Sequence, residues 1–229
     1  MKLSPNKMVD PNFRSEDRLR SYYSWRARGY DKATSYEIKH HHEAIQMADI
    51  QPEDRILEVA CGTGRATIEL ANHLGSEGNL EALDLSEIML AHAQQKAAER
   101  GLLGKVNFKI GSALNLPYPD HLFDLLYNAY MFDLLAVDRF LPVLKEFKRV
   151  LKPSGRLVLV NMSKNITRKT LYERIYSTAR LFPCRPVFLE NFVGEAGFSN
   201  VHRIYQQSYT SSIPLPFGTE IVTAQKPKG

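Results

Sequence analysis

The chain has 229 residues, 44% of them hydrophobic, with a formal net charge of +5. That length buries one sizeable core and is short for two, so a single domain over residues 21–229 is expected. No run of eighteen apolar residues is present and residues 1–13 are too polar for a signal peptide, while Cys61 and Cys184 have no metal-ligand spacing; these observations argue against a transmembrane, secreted or zinc-binding protein and for a cytoplasmic one.

In chain order, residues 1–20 are polar and charged and read as a flexible arm. Residues 21–50 follow as a helical cap carrying Tyr22, Tyr23, Trp25, Tyr30 and Tyr36. Consecutive helical residues point in different directions, so His40, His41 and His42 within it do not make a joint metal site. Past Pro52, the branched run Ile56, Leu57, Val59 has the character of a parallel strand, and Ala66, Ile68, Leu70 and Ala71 have helical spacing. Gly62 and Gly64 fall between them, where glycine permits positive φ and lets a ligand approach the backbone without meeting a Cβ.

Further strands are expected at residues 80–84, 106–110, 123–128 and 156–161, with helices at 86–100 and 139–151. Glu87 suits the positive end of the first helix and Gly101 stops it. Leu141, Leu144, Phe147, Val150 and Leu151 make the core stripe of the second. The segment 163–192, which contains Pro183 and Pro186, is less regular and reads as an inserted lid. Alternating runs at 201–209 and 220–225, joined through 211–218, predict an antiparallel hairpin at the sheet edge. This βαβ rhythm implies an α/β fold with helices on both faces of a mostly parallel sheet.

The glycine turn specifies the ligand further. A dinucleotide fingerprint reads G-x-G-x-x-G/A, whereas Thr67 occupies the third small position here and counts against NAD. Glu58, four positions before Gly62, suits a cationic amino group better than a pyrophosphate. Asp84, twenty residues beyond Gly64, is placed to accept both hydroxyls of a ribose.

These segments resemble the class I S-adenosylmethionine-dependent methyltransferases. Glu58–Gly64 resembles the first motif of that family, Leu83-Asp84-Leu85-Ser86 with Met89-Leu90 the ribose-binding strand end, and Gly111-Ser112-Ala113 the segment that encloses adenine. Phe123-Asp124-Leu125-Leu126 resembles the fourth strand, and Leu151-Lys152-Pro153-Ser154-Gly155 the turn before the fifth. One departure concerns Ser112, which stands where the family usually has an aspartate that accepts from the adenine amino group. Trp25…Tyr30-Asp31 before the fold and Ala196-Gly197-Phe198 with Glu220–Ala224 after it look most like the ubiquinone and menaquinone C-methyltransferase type.

The resemblance implies a Rossmann-like, seven-stranded sheet ending in an antiparallel hairpin, with S-adenosylmethionine as donor and S-adenosylhomocysteine as product. It places Glu58, Ala60, Gly62 and Gly64 at the methionine part, Asp84 and Leu85 at the ribose, Met89 on a face of adenine, and Ser112, Ala113 and Leu114 at its edge. Tyr30 and the backbone of Asn128 are further cofactor contacts. Tyr22, Trp25, Tyr130 and Phe132 are candidates for enclosing an acceptor, since aromatic faces attract a sulfonium. Asp133, a carboxylate among apolar neighbours, is the candidate base.

The expected partner is a small hydrophobic or aromatic molecule, with peripheral membrane contact compatible with the charge, in a monomer or homodimer. Methyltransferases of exocyclic base amines carry an Asn/Asp-Pro-Pro-aromatic segment after strand four; Asn128-Ala129-Tyr130 lacks it, and no nucleic-acid partner is expected. A binding protein without catalysis and a Rossmann oxidoreductase are the remaining alternatives.

Overall fold

A computed structural model of the chain describes residues 15–27, 29–179, 184–208 and 216–228. The first helix, α1 (Glu16–Arg26), starts inside the segment expected to be a flexible arm, because Ser15 caps it by accepting from the Arg18 amide and Glu16 and Asp17 occupy its positive end. Residues 1–14 of that arm lie outside the described residues. Two further helices complete the cap, α2 (Tyr30–Ala33) and α3 (Glu37–Met47).

The α/β part then runs β1 (Arg55–Val59), α4 (Arg65–His73), β2 (Asn79–Asp84), α5 (Glu87–Glu99), β3 (Val106–Ile110), β4 (Phe123–Ala129), α6 (Phe140–Val150) and β5 (Leu151–Ser163). After β5 come α7 (Leu171–Ala179) and α8 (Glu190–Glu195), then the edge strands β6 (Ser199–Ser208) and β7 (Phe217–Gln225). The lid segment thus contains two helices; its residues 180–183, like 209–215 of the hairpin connection, lie outside the described residues.

Seven strands form one sheet in the order β3-β2-β1-β4-β5-β7-β6. The first five are parallel, and β7 runs antiparallel to both β5 and β6. Alternate residues of each strand go to opposite faces, as the strand period of two requires. Leu57, Leu126, Leu157 and Val222 pack with Phe147 of α6 and Val193 of α8 on one face. Ile56, Leu125, Val158 and Ile221 pack with Ala44 of α3, Leu70 of α4 and Leu90 of α5 on the other. A carboxylate is buried where the antiparallel strands join the sheet. Glu220 is fully buried and accepts from Arg203 at 2.6 Å, from Ser163 at 2.8 Å and from the Leu189 amide at 3.1 Å, which supplies the partners a buried charge requires.

Candidate active site

The sheet order reverses between β1 and β4, and a crevice opens beyond the carboxyl ends of the strands at such a point. A cavity of about 510 Å³ lies there, walled by the ends of β1 to β4 and flanked by α1 and Tyr30. Its floor is the turn after β1. Ala60, Gly62 and Gly64 all take left-handed φ, at 59°, 55° and 80°. The Cys61 amide holds this turn to Leu83 of β2 at 3.1 Å, and the Gly64 amide returns to Cys61 at 3.0 Å.

The two glycines do different work. Gly62 opens onto the cavity, and a Cβ there would meet nothing within 4 Å. Gly64 is off the cavity wall; a Cβ there would lie 2.8 Å from the Cβ of Ala93, so this glycine lets α4 start against α5. Glu58 is also placed otherwise than expected. It is buried below the turn, where it accepts from Thr67 at 2.5 Å, and burial pushes its carboxyl up to about 8. The threonine that argued against a dinucleotide is therefore the partner of this carboxyl.

Asp84 closes the end of β2. One of its oxygens accepts from the Gly62 amide and the other from the Ser86 amide, both at 2.8 Å. This fixes the carboxylate while leaving it acceptor capacity for a ligand. Burial raises its pKa, opposed by the bonds from Ser86, Gly62 and Leu85. Leu85 and Met89 at the start of α5, and Ser112, Ala113 and Leu114 after β3, share the same wall. Asn128 does not: its fully buried side chain donates to the Val59 carbonyl at 2.8 Å and joins the ends of β4 and β1.

At the other end, Tyr130 follows β4 with a left-handed φ of 52° and reaches the cavity with Tyr30. Holding a non-glycine residue there costs about 1–3 kcal/mol, and such strain gathers at ligand sites. Three aromatic assignments are corrected. Trp25 is 79% exposed and away from the cavity. Tyr22 turns to Arg26, which donates to its hydroxyl at 3.1 Å, and the neighbouring Tyr23 lines the wall instead. Phe132 is wholly in the core, edge-on to Phe140 at 5.3 Å.

Asp133 lies behind the wall made by Met131 and Leu134. It is buried, hydrogen-bonded to Cys184, and pushed up to about 7 by desolvation, with the Arg185 charge opposing. Its Oδ1 has no hydrogen-bond partner among the described residues. Burial raises the phenols of Tyr23, Tyr30, Tyr130 and Tyr172, and the Asp133 charge adds to that in each.

Other contacts were not anticipated from the sequence. Asp31 accepts from Thr63 of the glycine turn at 2.5 Å and pairs with Lys96 of α5, and Arg65 donates to its carbonyl at 2.7 Å. These bonds hold Tyr30 at the cavity. Glu16 and Arg20 of α1 also line it. The Tyr30-Asp31 pair was the available signal for the first group; for α1, its capping Ser15 followed by two acids was the signal, and it lay inside the presumed arm.

Comparison with known proteins accords with this geometry. Residues 56–155 match a methyltransferase domain. A demethylmenaquinone methyltransferase of Geobacillus kaustophilus is 32% identical over 215 residues, covering 81% of this chain and 90% of that one. For a demethylmenaquinone methyltransferase of Bacillus cytotoxicus the match is 39% over 122 residues, 53% of this chain and half the length of that relative. The solved structure of the cyclase SpnF superposes with a TM-score of 0.76 at 18% identity, covering 94% of this chain and 97% of that one. Sharing the fold with a cyclase shows that architecture alone does not name the chemistry.

The chain belongs to the class I S-adenosylmethionine-dependent methyltransferases, of the ubiquinone and menaquinone type. As a member of that family it uses S-adenosylmethionine as cofactor. The residues fit that group: Gly62 leaves an open cradle, Asp84 keeps acceptor capacity, and the cavity falls in the roughly 300–1,000 Å³ range of small-molecule sites.

Proposed function

We propose that this methyltransferase acts on a ring carbon of a small apolar quinol, the class of acceptor named for its relatives. The observation that carries the reading is Asp133, a buried carboxyl between the cavity-lining Met131 and Leu134 whose Oδ1 has no hydrogen-bond partner among the described residues. Tyr30, Ala60, Gly62, Asp84, Leu85, Met89, Ser112, Ala113 and Leu114 hold the cofactor in this reading, and Tyr23 and Tyr130 border the acceptor.

Bound S-adenosylmethionine supplies an already activated methyl group on a sulfonium. The protein must then align acceptor and donor and exclude water, an effect worth about 7–11 kcal/mol. Asp133, pushed up to about 7, is the base for the hydroxyl proton of the quinol in this reading, a contribution of about 10²–10⁴-fold. The ring carbon beside the resulting phenolate would then take the methyl group while S-adenosylhomocysteine leaves, and the proton of that ring carbon would pass to water as the ring regains aromaticity.

Among the described residues no helix is long and apolar enough to cross a membrane. A quinol with an apolar tail is then met at a membrane surface from the cytoplasmic side, by a monomer or homodimer. A cavity walled by tyrosines and aliphatic side chains favours this acceptor over a nucleic-acid base. Purified protein incubated with labelled S-adenosylmethionine and demethylmenaquinol tests the reading by mass spectrometry. Label on a ring carbon of the quinone is expected; label confined to nucleic acid in a cell extract would overturn it.

A further inference from the structure

Helix α1 covers the part of the cavity bounded by the ends of β2 and β3, yet none of its residues is buried. Polar contacts hold it there. Arg20 Nε donates to the Leu85 carbonyl at 3.2 Å, the hydroxyls of Ser24 and Ser86 lie 3.1 Å apart, and Ser112 donates its hydroxyl proton to Glu16. Glu16 is half-buried and lines the cavity.

Strand order fixes what lies beneath the helix. With the methionine part at the turn after β1 and the ribose at Asp84 after β2, the base extends towards the next strand outward, β3. Adenine presents an exocyclic amino group there, a donor that needs an acceptor. Ser112 accepts from the Leu114 amide at 3.1 Å and donates its hydroxyl proton to Glu16, so it has one neutral lone pair left, a weaker acceptor than a carboxylate. The Glu16 carboxylate accepts that proton on one oxygen and keeps the other.

We propose that Glu16 is the acceptor for the adenine amino group, so that a residue 96 positions before Ser112 reads the base and α1 docks as part of cofactor binding. The serine at the end of β3 positions this carboxylate. A hydrogen bond to a charged acceptor is stronger than a neutral one. The base is therefore recognised across two elements far apart in sequence, and removing either one loosens the other.

The inference rests on the S-adenosylmethionine assignment, and calorimetry of the intact protein separates the two. S-adenosylhomocysteine is compared with its inosine counterpart, in which a carbonyl oxygen replaces the amino group. The unaltered protein should prefer the adenine ligand by about tenfold or more, and Glu16→Ala should lose about tenfold in that affinity and most of the preference. Ser112→Asp in the Glu16→Ala background should restore both, a rescue that a purely structural role for α1 would not give. An unchanged preference in Glu16→Ala overturns the proposal while leaving the cofactor in place. No binding of either ligand by the unaltered protein overturns the cofactor assignment and the proposal with it.

Discussion

The donor and acceptor ends of the cavity are built by different means. At the donor end, backbone groups do most of the work: three left-handed residues in one turn, the amides of Gly62 and Ser86 on Asp84, and strand ends in register. At the other end, side chains from separate segments meet, with Tyr23 from the cap and Tyr130 after β4 on the cavity, and behind them Asp133 bonded to Cys184, whose carbonyl accepts from Tyr172 of the lid. A backbone cradle tolerates few changes and binds one ligand. A wall of side chains can be rebuilt position by position, and the proposed reading puts specificity for the acceptor there.

Asp133→Asn should give the largest effect and should touch the acceptor end alone. If the carboxylate is the base, kcat should fall by about 10²–10⁴-fold with affinity for S-adenosylhomocysteine unchanged. Burial pushes this carboxyl up to about 7, so it is protonated and inactive below that pH. The rate should rise with pH through about 7 and then level, and this limb should vanish in Asp133→Asn. A variant that keeps the same limb would assign the proton transfer to another group.

Next in size is a pair of glycine substitutions that separates fold from binding within the donor end. Gly64→Val adds backbone strain and a collision with Ala93, and should cost about 2–4 kcal/mol in denaturant unfolding. Gly62→Ala meets no neighbour, so stability should fall by only about 1 kcal/mol while cofactor affinity drops, because the methyl group enters the cradle. Equal losses of stability in both would show that the turn has no division of labour.

The same contrast explains what the sequence revealed. Strand β3, both ends of α5 and the start of α6 were legible within a residue or so because apolar periodicity, Glu87 and Gly101 mark them locally. Asp84, Gly62 and Ser112 were legible as cavity residues for the same reason, since each stands at a strand end. Glu58 was misread because nothing local says that its carboxyl turns inward to Thr67. At the acceptor end, choosing Tyr22 and Trp25 over Tyr23 required the rotation of α1. That helix has polar residues on every side and gives no hydrophobic stripe from which to read its orientation.

Asp31 joins the two ends, and the smallest predicted effect asks whether they are coupled. It accepts a hydrogen bond from Thr63 of the glycine turn, pairs with Lys96 and directly follows Tyr30, which packs edge-on to Tyr23 at 6.0 Å. Its bonds with Lys96 and Thr63 hold its carboxyl below the usual range although desolvation pulls the other way. The side chain is 43% exposed, so the ion pair contributes at most about 1 kcal/mol in water. Asp31→Asn keeps an acceptor for Thr63 and removes the charge facing Lys96. Stability should therefore change by less than about 1 kcal/mol, while KM for both cofactor and acceptor rises a few-fold, because Tyr30 and the turn lose the same restraint. A rise in only one of the two KM values would show that donor and acceptor ends are held independently.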